Sequence, residues 1–201
     1  LCVDNGLVDL TAFTNLAGGS FSGTGVSGND FDAASAGSGV FTLTYNYTDS
    51  ITNCSSFDGD TIDEFALPSP LAGVDQSICF GDTTTLVASG GVGYLWSTTV
   101  NNDSVSVSPS ATTTYSVLVT DANQCSAVDS VTVTVNQLPL VNFGGVSNLC
   151  ENSTPVALGN SASPSGGAFS GTGVAGSQFD PAIAGGSGSY LLTYIYTDVN
   201  N

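Results

Sequence analysis

Five cysteines, at positions 2, 54, 79, 125 and 150, carry the most versatile chemistry in this chain. A thiol can bridge, bind a metal or attack as a nucleophile, and its neighbours decide which. Here the 201 residues include 17 Asp and Glu but no Lys, Arg or His, giving a formal charge of −17. No cation is present to lower a thiol pKa, no imidazole to act as base or metal ligand, and no side-chain amine to form a Schiff base or isopeptide bond. Most catalytic schemes lose a required member, so the cysteines read as structural, in an oxidising, extracellular setting, and no enzymatic activity is expected. The same charge speaks against nucleic acid and direct membrane contact, since both partners are held mainly through Lys and Arg.

The carboxylates offer a second chemistry. Asp58-Gly59-Asp60, followed by Asp63 and Glu64, gathers hard oxygen donors of the kind Ca²⁺ requires. Their spacing is not that of an EF-hand loop, and a strand from Thr61 onward would send Asp63 and Glu64 to opposite faces. The competing reading is a solvated turn. No cofactor is expected, calcium at Asp58, Asp60 and Asp63 being the one candidate. Paired carboxylates for glycoside hydrolysis would need a cleft that small β domains do not imply. Gly23-Thr24-Gly25-Val26-Ser27-Gly28 and Gly171-Thr172-Gly173-Val174-Ala175-Gly176 both fit G-x-G-x-x-G. That motif holds a pyrophosphate only where a helix begins, and neither segment is followed by a helix pattern. These glycines are expected in bulges and tight turns.

The elements that would position these groups are strands. In Phe41-Thr42-Leu43-Thr44-Tyr45-Asn46-Tyr47-Thr48 the apolar residues take alternate positions, and Tyr115, Val117, Val119 and Val131, Val133, Val135 repeat the pattern. Hydrophobic content of 41% with 10 Phe, 7 Tyr and one Trp suits a folded core rather than an acidic disordered tail. No apolar run reaches the ~18 residues of a membrane span, and no basic segment marks a signal peptide. With no Met in the chain, it is expected to be a processed or excised piece. Short strands, frequent Gly, Asn, Asp and Ser turns, and Trp96 on a third strand predict an all-β protein of tandem antiparallel β-sandwiches with essentially no helix.

An internal repeat sets the domain plan. Leu1 to Asp49 matches Leu149 to Asp198 at 26 of 49 positions with one gap. Cys79 falls roughly midway between the two copies, and proline-bearing joints follow at Leu67-Pro68-Ser69-Pro70-Leu71 and Gln137-Leu138-Pro139-Leu140. Three units are therefore expected in an A-B-A order: 1–70, 71–138 and 139–201. By comparison with its neighbours, the first is expected to lack its opening strand and the third its last strands. One cysteine near each end of a complete unit predicts disulfides Cys2 with Cys54 and Cys79 with Cys125. Cys150 is left with a partner outside these residues. Loops of about 50 residues closed in this way stabilise by roughly 4 kcal/mol each in the chain-entropy model.

The phrase Gly-Gly-Ser/Ala-Phe-Ser-Gly-Thr-Gly-Val, with Phe-Asp-Ala/Pro-Ala and Leu-Thr-Tyr-x-Tyr-Thr-Asp, resembles the Ig-like repeats of very large secreted Bacteroidetes surface proteins. The middle segment, with Tyr94-Leu95-Trp96-Ser97, Ser106 to Tyr115 and Val119-Thr120-Asp121-Ala122-Asn123-Gln124-Cys125, resembles the PKD-like repeats found beside them. The resemblance covers nearly the whole chain. It implies a non-catalytic stalk or fibre segment of an adhesin-like extracellular array, partnered by neighbouring domains or copies. A glycan-binding module with exposed aromatics such as Tyr94, Phe13 and Phe57 is the alternative. The Asp-Ser/Thr-aliphatic/Thr pattern of Bacteroidetes O-glycosylation is resembled at Ser50, Thr61, Thr83, Ser104 and Ser130. On the long strand, Thr42 and Asn46 of the first copy become Leu191 and Ile195 in the last. Such apolar residues on an outward face predict a covering domain, chain or glycan.

Overall fold

The computed structural model describes residues 1–199, and the protein is all-β, built from several small antiparallel sheets. The alternating run of the first repeat forms the ten-residue strand Gly39–Thr48, flanked by Ser20–Ser22 on one edge and Ser55–Glu64 on the other. A second small sheet orders Leu7–Asp9, Asp30–Asp32 and Val26–Ser27. Side chains from both sheets meet around Leu10, Phe31 and Ala33, with Phe21, Phe41, Leu43 and Ile62 packed against them. Phe21, Phe41, Leu43 and Ile62 reach that core from alternate strand positions, as a two-layer packing requires, while Leu10 and Ala33 enter it from short helical turns.

One turn of helix, Ala33–Ala36, interrupts the β pattern. Alternation gives no sign of it; Asp32 caps its start by accepting from the Ser35 N–H, and Gly37, at φ 77°, ends it. Two 3₁₀ turns, Leu10–Phe13 and Gly159–Ser161, bring the helical content no higher than short connectors.

The middle segment contains a four-stranded sheet in the order Gln76–Cys79, Ser126–Asn136, Thr113–Thr120, Gly93–Trp96, and a pair formed by Ser104–Val107 and Thr84–Val87. Tyr115, Val117 and Val119 are buried, as are Val131, Val133 and Val135, while their sequence neighbours face outward. Trp96 is buried on its expected third strand, and its indole N–H donates to the Asn102 carbonyl at 3.1 Å. The aromatic ring thereby fills core space without orphaning its donor.

In the third repeat, Ala168–Ser170 pairs with Thr193–Ile195, while Val156–Ala157, Gln178–Phe179 and Val174–Ala175 form the counterpart of the small first-repeat sheet. Asn142–Phe143 pairs with Ala162–Ser163. The core is Leu158, Phe179 and Ala184, the positional equivalents of Leu10, Phe31 and Ala36. The chain gathers into two compact units. One holds Leu1–Gln76, Thr83–Ser108 and Thr112–Thr134; the other holds Ser77–Asp82, Pro109–Ala111 and Val135–Asn201.

Candidate functional site

The disulfide of the described structure joins Cys2 to Cys125, 123 residues apart in sequence. This corrects both expected pairings, Cys2 with Cys54 and Cys79 with Cys125, and strand length is the reason. Cys2 bridges to Phe65, just past the end of Ser55–Glu64, whereas Cys54 precedes the first residue of that strand. Ten residues at ~3.3 Å each hold the two thiols about 30 Å apart. The same holds in the middle segment. Cys125 precedes Ser126–Asn136, while Phe80, next to Cys79, donates its N–H to the carbonyl of Asn136 at the strand's other end. Cys125 is buried, with the Phe65 carbonyl beside its sulfur. The bridge thus ties the first repeat to the middle segment where sequence reasoning expected one staple inside each. Cys54 and Cys150 are exposed free thiols, and Cys79 is a half-buried one.

The aspartates of the calcium candidate do not lie in a turn. They belong to the straight strand Ser55–Glu64, where Asp58 faces Tyr45 and Asp60 faces Leu43 on the inward side, while Asp63 pairs with outward Val40. Asp58 and Asp60 each accept from the next residue's backbone N–H. Among the described residues, no group of three or more Cys, Asp or Glu side chains converges as a metal would need.

Asp58 and Asp60 instead rim a groove of about 550 Å³ in the first repeat, whose apolar wall includes Leu10, Phe13, Phe21 and Leu43. Its size falls within the range of small-ligand sites. Phe13 is 76% exposed and lines this groove; Phe57 is 75% exposed but pairs with Asn46 on the outward face of the same sheet. The two rings therefore face opposite sides and form no shared platform. Tyr94 is half-buried, with its hydroxyl donating to the Gly91 carbonyl.

Behind the groove, Tyr45 holds the turn that carries its wall. Its hydroxyl donates to the Leu16 carbonyl at 2.6 Å and accepts from the Gly19 N–H at 2.8 Å. The third repeat reproduces this with Tyr194, which accepts from Gly167 and donates to the Pro164 carbonyl. A Cβ on Gly19 would lie 2.3 Å from the Tyr45 ring, so the glycine is demanded by ring contact. Alternation alone reads Tyr45 only as an inward residue; the shared Gly-Gly and Tyr spacing in both copies is the signal that marks the bond. The two G-x-G-x-x-G segments serve tight turns: Gly25 and Gly173 have φ of 78° and 84° and press on Phe31 and Phe179.

Sequence reasoning counted Glu64 only among the oxygen donors and missed its burial. It is 3% exposed, and neither carboxylate oxygen has a hydrogen-bond partner. Burial pushes its carboxyl above the ordinary value; the N-terminal ammonium pulls the other way, and Asp32 adds a smaller upward push.

Of the glycosylation candidates, Ser50 and Thr83 are exposed at turns, Thr61 and Ser130 are exposed within strands, and Ser104 is half-buried. Beside Ser130, Asp129 is engaged: its carboxylate accepts from the Ala72 N–H at 2.8 Å. Leu191 is 84% exposed and Ile195 60% exposed, so no described residue of this chain covers them. No protein-family model matches the chain, and no curated protein matches it.

Proposed function

We propose that this chain is a non-catalytic, extracellular structural segment, part of an adhesin-type stalk or fibre in which Ig-like and PKD-like domains alternate. The observation that carries this reading is the Cys2–Cys125 bridge, which welds the first repeat to the middle segment across 123 residues. Such a bond suits an oxidising compartment and a protein that bears load, since the enclosed residues cannot be pulled out while it stands. The repeat of the first unit after the middle one supports an array. The uncompensated charge of −17 would keep such an array soluble and self-repelling. Neighbouring domains or copies are its partners, with glycans attached at the Ser50 and Thr83 turns.

Pulling the chain from its ends tests this. Oxidised protein should release only the length outside the bridge; after reduction, the chain enclosed between the two cysteines, 123 residue steps long, adds about 400–440 Å of extension. Equal extension in both states would remove the load-bearing reading. Independently, a membrane-impermeant maleimide should label Cys54 and Cys150 on intact cells.

The Phe13 groove favours a second reading, a ligand-binding module in which a sugar or other ring stacks on Phe13 between Asp58 and Asp60. Glycan binding lost on Phe13→Ala would support it.

A further inference from the structure

We infer that every junction between domains of this array is locked by a disulfide of one kind. The cysteine that opens a domain bonds the hairpin cysteine of the domain after it, as Cys2 bonds Cys125. Cys54, Cys79 and Cys150 are then junction thiols that serve the neighbouring domains. The inference deepens the array reading above, on which it rests.

Backbone geometry sorts the five cysteines into two positions. Cys2, Cys79 and Cys150 occupy the first. In each, the residue three places on donates its N–H back to the cysteine carbonyl: Asn5 to Cys2 at 2.9 Å, Asp82 to Cys79 at 3.0 Å, and Ser153 to Cys150 at 2.9 Å. After Cys2 and Cys79 the next residue is tied to the finish of its domain's last strand, Val3 to the Phe65 carbonyl and Phe80 to that of Asn136. An opening cysteine is therefore carried to the end of the domain where the last strand finishes.

Cys54 and Cys125 occupy the second position. Each follows a hairpin turn and stands just ahead of the last strand, whose first residues Ser55 and Ser126 pair with Thr48 and Thr120. Both turns begin at an aspartate whose N–H donates to the cysteine carbonyl at 2.9 Å, Asp49 to Cys54 and Asp121 to Cys125. The aspartate carboxylate caps the turn, accepting from the N–H groups of Ile51 and Thr52 in one and of Asn123 and Cys125 in the other. The residue before the cysteine is left-handed in both, Asn53 at φ 55° and Gln124 at φ 69°. That conformation is uncommon outside glycine, so its recurrence marks one turn design. The twins differ in one respect. Cys125 is buried and bonded to Cys2, whereas Cys54 is exposed and free. The bonded member shows what the position holds.

The same rule names the remaining partners. Cys54 takes the opening cysteine of a domain ahead of it, and Cys150 reaches the hairpin of a domain after the third. Cys79 serves the hairpin of the third repeat, whose turn follows Asp198, the counterpart of Asp49. In keeping with this, Ser77–Asp82 gathers with Val135–Asn201 in one compact unit. Each bridge joins two sulfurs and gives up two protons and two electrons to a small-molecule disulfide such as oxidised glutathione, which leaves as two thiols. By itself the 201-residue chain keeps Cys54 and Cys150 open to maleimide; beside further domains they are closed.

The test is a chain of residues 1–198 continued directly by residues 50–138. The added residues finish the third repeat with the first repeat's hairpin and last strand, then supply a second middle domain. The product holds eight cysteines, five from residues 1–198 and three from 50–138. Refolded in a glutathione redox buffer, it should show three bridges and two free thiols by titration in denaturant. An unreduced digest cut at aspartate should contain a Cys79 peptide joined to a Cys54 peptide. Cys79→Ser within residues 1–198 should abolish that species, raise the free count to three and keep Cys2 with Cys125. Four free thiols, or Cys79 bonded to any cysteine other than the second-copy Cys54, would overturn the ladder and leave the Cys2–Cys125 weld and its load-bearing reading standing. If the added residues do not fold, which a free Cys150 would show, the natural polypeptide decides by the same digest. Cys79 joined to a cysteine behind an aspartate-capped hairpin upholds the proposal, and Cys79 open to alkylation overturns it.

Discussion

Glu64 follows Ile62 by two residues on one strand, so the alternation that carries Ile62 into the core carries the carboxylate there as well. A buried carboxylate without a hydrogen bond is costly when charged, and Glu64 is therefore held protonated above its ordinary value of 4.5. Three other carboxylates act in the opposite sense. Asp9 is held low first by the Thr11 hydroxyl, Asp49 by backbone N–H groups led by Thr52, and Asp129 by those of Ala72 and Ser130. The folded chain binds Glu64's proton more tightly than the unfolded chain does, so that contribution falls as pH rises above 4.5. For the aspartates, the unfolded chain binds protons more tightly, so their contribution is lost as pH drops below 3.8. Stability should accordingly peak in mildly acidic solution and decline on both sides. Glu64→Gln should stabilise at pH 7 by about 1 kcal/mol or more and have little effect near pH 4, read by thermal unfolding. Equal shifts at both pH values would mean that the buried charge is not the cause.

At the scale of elements, the Tyr45 hydroxyl joins strand Gly39–Thr48 to the turn over residues 16–19, and the third repeat repeats the joint with Tyr194. Tyr45→Phe leaves the Leu16 carbonyl and Gly19 N–H without this partner and should cost about 1–2 kcal/mol in denaturant unfolding. Gly19→Ala should cost more, because its Cβ cannot coexist with the ring at 2.3 Å. If Tyr45→Phe unfolds at the wild-type midpoint, the hydroxyl bonds carry no stability. The strands themselves were legible: alternation placed Gly39–Thr48, Thr113–Thr120 and Ser126–Asn136, and the internal repeat foretold two like folds. The bridge was not, because a disulfide depends on which strand ends adjoin, and spacing cannot tell the near end of Ser55–Glu64 from the far one. Asp58 and Asp60 looked like turn residues by composition, yet pairing along all ten positions of Gly39–Thr48 keeps them in a strand. Tertiary pairing overrode local propensity there.

Across the whole molecule the dominant field is a charge of −17 that no side-chain cation offsets. Every carboxylate repels the others, and folding brings them closer, so the compact state carries an electrostatic cost that dissolved salt relieves. Thermal stability should therefore climb steadily as NaCl rises from about 0.01 to 0.5 M, over which the screening length shrinks from roughly 30 Å to below 8 Å. Divalent cations should act more strongly through the same diffuse attraction, and this provides a test of the carboxylate geometry. A calcium site needs six to eight oxygens drawn together, and flexible coordination at such a site favours Ca²⁺ over Mg²⁺. Asp58 and Asp60 share one face of their strand while Asp63 takes the other, so these three cannot close around one ion. Melting curves in CaCl₂ and MgCl₂ at matched ionic strength should consequently coincide to within about 1 °C, both lying above NaCl. A calcium-specific increment that saturates at micromolar ion, and that disappears in Asp58→Asn or Asp60→Asn, would refute the diffuse-charge account and place a built cation site on the rim of the Phe13 groove.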